Sequence, residues 1–227
     1  RLYVQPTSFY KRAVTNASLD EFLPSGLTLR AKFAQQPDDF ETSVLANILA
    51  VNLSVISTED QKIHYAVRGK RVADHPSGYA PCVSGTANWD DKDEDVFNPF
   101  KTAKREAEEE LTTELGIKYD DIVFYGLARI YHTFDPFLFG TIYFKGTSKE
   151  LIDLAQTNRN SYDVKQLKAC KLEPKETARE IKKLIIFAQQ QAVIPHATFS
   201  AVFGLYMSLI YAYPKKKKDI NETIKSL

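Results

Sequence analysis

The chain of 227 residues carries 30 Lys+Arg against 29 Asp+Glu, with 44% hydrophobic and 12% aromatic residues. That length supports a buried core, in one large domain or one domain with an added lobe, and the apolar share excludes wholesale disorder. A charge this near neutrality argues against a dedicated nucleic-acid binder, which would carry a basic excess.

Residues 1–40, broken by Pro6, Pro24 and Pro37, read as an N-terminal extension packed on the core. Arg1–Pro24 has no continuous apolar run and does not read as a secretory segment. The chain starts at Arg1 and its only methionine is Met207, which points to a trimmed chain or a domain of a longer protein. Asp39–Leu49 is expected to be a helix leading into a hairpin of two alternating strands, Leu49–Ser57 and Lys62–Arg68. Pro81–Gly85 reads as a third short strand. Pro99–Leu115 reads as a helix, with Pro99 in its first turn and Gly116 as its stop.

Two further strands are expected at Asp121–Tyr131 and Phe137–Lys145, then helices at Ser148–Gln156 and Pro174–Gln191. Ala197–Tyr213 is apolar enough to raise a membrane span, but it has only 17 residues and includes Thr198, Ser200, Gly204 and Ser208. A buried core helix is the better reading. Lys215–Lys218 then form a solvated helix exit within a basic tail, 214–227. The layout is a mixed α/β sandwich with its core at 41–213. Cys82 and Cys170, far apart, read as buried thiols of a reduced, cytoplasmic setting.

The segment Lys101–Ile117 carries the chemistry. Ala103, Ala107, Leu111 and Leu115 recur at four-residue steps as an apolar stripe, and Glu106, Glu110 and Glu114 form a second stripe with Glu109 beside it. Like charges at this spacing repel by a few tenths of a kcal/mol per pair, about 0.2–0.5. A hard divalent ion such as Mg²⁺ would relieve that repulsion through oxygen ligands and shared substrate phosphates. The plain alternative is a solvated acidic face.

With a strand ending at Ser84-Gly85, an acidic loop and this helix, the chain resembles the Nudix hydrolases and their motif G-x5-E-x7-R-E-U-x-E-E-x-G-U, U being aliphatic. The resemblance implies an α/β/α sandwich and Mg²⁺- or Mn²⁺-assisted hydrolysis of a nucleoside diphosphate linked to another group. Anchored on Gly116-Ile117, the motif puts its metal ligands on Glu110 and Glu114, with Glu109 in place of the arginine and Thr113 in place of a glutamate. The upstream glutamate then falls on Lys101 and the glycine on Asp95. Gly85 is the better glycine and supplies a backbone carbonyl ligand, with about ten extra loop residues. A second register, Arg105-Glu106-Ala107-Glu108-Glu109-Glu110, fits R-E-U-x-E-E better locally but leaves Thr112-Thr113 where Gly and an aliphatic belong. The first register is preferred because it explains the helix stop.

Thr7-Ser8-Phe9, Thr15-Asn16, Leu45-Ala46-Asn47, Arg68 with Val72-Ala73 and Pro76, and Gly126-Leu127-Ala128-Arg129 follow in an order similar to the Nudix subgroup that contains UDP-sugar-hydrolysing enzymes. On this reading Glu110 and Glu106 are catalytic, Glu110, Glu114 and Gly85 hold metal, and Arg68, Arg71 and Arg129 contact phosphate, with Lys70 beside them. Glu106 would hold a second metal or a metal-bound water. Arg129, inside an apolar strand, faces a carboxylate, a phosphate or solvent. The resemblance implies a general base from a glutamate of the helix or of a later loop, without fixing which, and any of Asp90, Asp91, Asp93, Glu94 and Asp95 is a candidate contributor; Trp89 either stacks on a base or sugar or anchors that loop. His64, His75, His132 and His196 show no metal spacing. The expected partner is a nucleotide-type small molecule, with no nucleic acid and no membrane, in a homodimer or a larger parent protein. The competing readings are a catalytically degenerate Nudix-fold module that binds a nucleotide or a protein, and, last, a membrane-tethered protein.

Overall fold

The computed structural model describes residues 5–35, 43–69, 77–157, 164–190 and 196–226. Two short helices open the chain. Helix α1 (Phe9–Val14) is capped by the Ser8 hydroxyl, which accepts from the Lys11 amide, and α2 (Leu29–Phe33) is capped the same way by Thr28. Residues Ser43–Leu49 are not helical, contrary to expectation, and positions 39–42 lie outside the described residues. The reason is a tertiary tie to the N-terminal segment. The amides of Ala46 and Asn47 donate to the side chains of Thr15 (3.2 Å) and Asn16 (3.1 Å), and Asn47 adopts a positive φ of 49°. Two pieces of the sequence resemblance, Thr15-Asn16 and Ala46-Asn47, therefore touch.

The sheet is built on β1 (Ala50–Ser57), all eight residues of which are buried. It turns into β2 (Lys62–Arg68), antiparallel, but the two strands pair only from Val55 to Ser57. Beyond that they splay and a broken strand fills the gap: β3 (Tyr79–Pro81) pairs with β2, and β4 (Val83–Thr86) pairs with β1. The break falls at Cys82, inside the single strand expected from sequence. A small hairpin, β5 (Lys92–Asp93) and β6 (Val96–Phe97), lies in the acidic loop.

Helix α3 (Pro99–Glu110) follows, then β7 (Ile122–Arg129) and β8 (Pro136–Phe144). Strand β8 returns to lie parallel to β1 and antiparallel to β7. After α4 (Ser148–Thr157), β9 (Val164–Lys171) adds to β2, and α5 (Pro174–Gln189), α6 (His196–Ala212) and α7 (Lys217–Ser226) complete the chain.

The period of two along β1 divides the core. Val51, Leu53 and Val55 face a cluster with Ala103, Ala107 and Leu111 of α3 and Leu151 of α4. Ile56 joins a second cluster with Ile181, Leu184, Leu205, Leu209 and Ile220 from α5, α6 and α7. Helices thus cover both faces of a mixed sheet, the α/β/α sandwich expected. Residues 214–227, read as a basic tail, contain α7, whose Ile220 is fully buried while Lys215–Lys218 stay exposed. Among the described residues no helix is long and apolar enough to cross a membrane. In α6, Gly204 lets the helix approach the Ser54 hydroxyl, and Ser208 bonds the Thr141 hydroxyl at 2.7 Å.

The N-terminal segment is tied to the β7–β8 turn. Asn16 Nδ2 donates to the Thr133 carbonyl (2.8 Å), Arg12 pairs with Asp135 (2.7 Å), and Arg30 bonds Asp20 and the carbonyls of Tyr131 and His132.

Candidate active site

Helix α3 starts where the sequence says it should. The Asn98 side chain accepts from the Phe100 amide, and Pro99 follows at the first helical position. It stops earlier than expected. Leu111 is the C-cap, Thr112 is extended, Thr113–Leu115 form a separate 3₁₀ turn, and Gly116 closes that turn with φ +60°. Two adjacent β-branched residues disfavour continuation of the helix. Glu110 and Glu114 are therefore not on one helical face, and Glu114 is exposed. The pair proposed from the first register does not form.

The preceding pair does. Glu106 and Glu110, one turn apart, both point at β4, and small Ala103 and Ala107 let the helix sit close to the sheet. Glu110 Oε2 accepts from the Ser84 amide at 2.8 Å. The Glu106 carboxylate lies directly on Gly85, in the space where a Cβ would stand. Glycine is needed there because the carboxylate has taken the volume, not because of an unusual φ.

Arg105 organises the neighbourhood. Its guanidinium donates to Asp91 (2.9 Å), Glu106 (2.7 Å) and the Thr86 carbonyl (2.9 Å), with longer contacts to Glu109 at 3.4 Å. Asp91 is buried and also accepts from the Asn88 amide and the Thr102 hydroxyl. Burial pushes the Asp91 carboxyl up, but Arg105, the Asn88 amide and Thr102 together leave it below its ordinary value. Glu106 goes the other way. Burial dominates over the pull of Arg105, with Glu109 and Asp91 adding repulsion, and its pKa rises to about 7. Sequence reasoning passed over Arg105 and this role of Asp91, although the second register begins at Arg105.

The other expected residues are dispersed. Asp93 pairs with Lys101 at the loop hairpin, Asp90, Glu94 and Asp95 are exposed, and Trp89 lies under the Lys92 ammonium at 4.7 Å. Arg68 ends β2 with a buried Nε that has no hydrogen-bond partner among the described residues. Lys70, Arg71, Val72-Ala73, His75 and Pro76 lie outside the described residues. Arg129 ends β7, separated from β4 by β8 and β1, with its guanidinium over the Phe134 ring at 5.6 Å. His64 is buried between the Val55 carbonyl and the Ser148 hydroxyl. Both cysteines are free thiols.

Among the described residues no three His, Cys, Asp or Glu side chains gather into a metal-holding group. Mg²⁺ needs fewer protein ligands than that: it keeps several waters and commonly takes one or two carboxylates plus substrate phosphates. Glu106 and Glu110 meet that requirement.

No protein-family model matches the chain, and no curated protein matches it. In structure it is similar to a MutT/nudix family protein from Enterococcus faecalis, at 10% identity over 97% of this chain and 81% of that one, with a TM-score of 0.42. It is also similar to a MutT protein from Methanosarcina mazei (13% identity, 75% and 95% covered, TM-score 0.42) and to an Ap4A hydrolase from C. elegans (12% identity, 73% and 96% covered, TM-score 0.41). Its structural neighbours are Nudix proteins at low sequence identity.

Proposed function

We propose that the chain is a Mg²⁺-dependent hydrolase of the Nudix type, cleaving a nucleoside diphosphate joined to another group such as a sugar. The observation that carries this is the convergence of Glu106 and Glu110 on the Gly85–Ser84 edge of β4. It favours the register in which Arg105-Glu106-Ala107-Glu108-Glu109-Glu110 answers to R-E-U-x-E-E.

Mg²⁺ or Mn²⁺, when bound, neutralises diphosphate charge and lowers the pKa of water. Glu106 and Glu110 would hold it, with Gly85 contributing its carbonyl. The protein's own part is preorganisation. Arg105 fixes the Glu106 rotamer, Asp91 fixes Arg105, and the Ser84 amide fixes Glu110, so the carboxylates are placed before substrate arrives. In the metal-free chain burial raises the Glu106 carboxyl to about 7, so metal binding there would displace a proton near neutrality. Arg68 and Arg71 are proposed phosphate contacts.

Turnover of nucleoside diphosphate derivatives, read as phosphate after phosphatase coupling with Mg²⁺ or Mn²⁺, tests the reading. Glu106→Gln and Glu110→Gln should each lower it at least a hundredfold, and turnover that both substitutions leave intact overturns the site. The ion pair that engages Glu106 with Arg105 favours a second reading, a module that binds nucleotide without cleaving it. Saturable nucleotide binding with no turnover would select that module.

A further inference from the structure

On the side of the sheet opposite α3, a groove of about 790 Å³ runs between α6, the end of β7 and the α5–α7 pair. That volume is within the range of small-molecule sites, about 300–1,000 Å³. Its walls are apolar: Phe139 from the sheet, Ile130 just beyond β7, Val202 and Phe203 from α6, Ile185 from α5 and Ile224 from α7. Phe199 and Phe203 keep about two-fifths of their surface exposed within it (41% and 38%), while Ala201, Leu205 and Leu209 of the same helix are buried.

Its charge is one-sided. Arg129 and Lys225 line it, and no carboxylate is among the described lining residues. An apolar cleft whose charged residues, among those described, are all cationic complements one class of ligand: an alkyl chain that fills the cleft and an anionic head that meets the cations. We propose that this groove is a second ligand site, taking a single-chain anionic amphiphile, a long-chain carboxylate or monoalkyl phosphate. The site is built from residues separate from Glu106 and Glu110, so it stands or falls independently of the hydrolase reading.

The test uses the whole chain below the critical micelle concentration of each probe. Saturated fatty acids and monoalkyl phosphates of increasing length displace a dansyl-labelled undecanoate, with the matching alcohols as uncharged controls. Binding should be saturable at one per chain and tighten about three- to fourfold per added methylene until the groove is full. Phe199→Glu, at an exposed position, should weaken every probe at least tenfold. Lys225→Glu should weaken the acids and phosphates but not the alcohols. The ratio of acid to phosphate affinity identifies the preferred head group.

Three outcomes overturn the site: no saturable binding, affinity independent of chain length, or affinity unchanged in Phe199→Glu. A concentration-dependent dimer, seen by light scattering and abolished by Phe199→Glu, would also overturn it by assigning the groove to a second copy. Glu106→Gln should bind the probes as the unaltered chain does, whatever its effect on hydrolysis.

Discussion

The Glu106 carboxylate occupies the volume in which any residue other than glycine at position 85 would place its first side-chain carbon. The two residues come from different elements, a helix and a strand, so their fit sets the distance between α3 and β4. Gly85→Ala should push the acid off the strand. We expect a loss of about 1–3 kcal/mol from overpacking, together with at least a tenfold fall in Mg²⁺-dependent turnover. Urea midpoints and steady-state rates check this, and unchanged values for both would mean that the contact is not structural.

Titration of Glu106 gives a pH prediction. Burial raises its pKa from 4.5 to about 7. Between those values the folded, metal-free chain keeps a proton that the unfolded chain releases, so stability falls as pH rises across the window. The full effect is roughly 3 kcal/mol. Glu106→Gln should remove this slope in urea titrations run with chelator between about pH 5 and pH 7.5.

His64 should act in the opposite sense. Burial lowers its pKa below 6.5, with the Val55 carbonyl opposing. As pH falls below 6.5 the unfolded chain gains a proton that the folded chain refuses, so stability falls with acidification. In the unaltered chain the two slopes oppose each other. In Glu106→Gln the His64 slope should emerge, with midpoints dropping steadily from about pH 6.5 to pH 5.

Asp91 holds Arg105 from a buried position, and Asp91→Ala would leave that guanidinium without its main partner. A loss of about 2–3 kcal/mol at neutral pH is expected. Because the Asp91 carboxyl lies below its ordinary value, its stabilisation is present above about pH 4 and disappears as pH falls through its folded pKa. The acid limb of the stability curve should therefore be shallower in the variant.

Asn16 joins the N-terminal segment to the rest of the molecule through the Thr133 carbonyl and the Asn47 amide. Asn16→Ala should cost about 1–3 kcal/mol through unsatisfied buried partners. Hydrogen exchange should speed up in Phe9–Phe33 while β1 stays protected, and uniform acceleration would contradict this local role.

Much of this architecture was legible because its signals are short-range. The alternation in Lys62–Arg68 and the Asn98-Pro99 start of α3 are read directly from neighbouring residues. The end of α3 was misread because Gly116 is a persuasive stop, and here it closes the 3₁₀ turn of Thr113–Leu115 instead. Thr112-Thr113 carried the opposing signal. That one boundary moved the candidate acids by a turn, from Glu110 and Glu114 to Glu106 and Glu110. The clamp of Asp91 on Arg105 spans fourteen positions and a hairpin, so no local pattern announces it. β9 was missed because Val164–Lys171 mixes lysines and glutamine into a strand whose partner, β2, is far back in the chain.

The parallel ladder between β1 and β8 has a consequence for how the molecule comes into being. Gly85, Glu106 and Glu110 all leave the ribosome before Pro136, where the strand that completes the other edge of β1 begins. A nascent chain halted short of that point would leave one edge of β1 with unpaired backbone N–H and C=O groups, the kind of edge that recruits other chains. Closure of the sheet around β1 therefore waits on a strand far downstream, which makes Pro136–Phe144 a guardian of what precedes it.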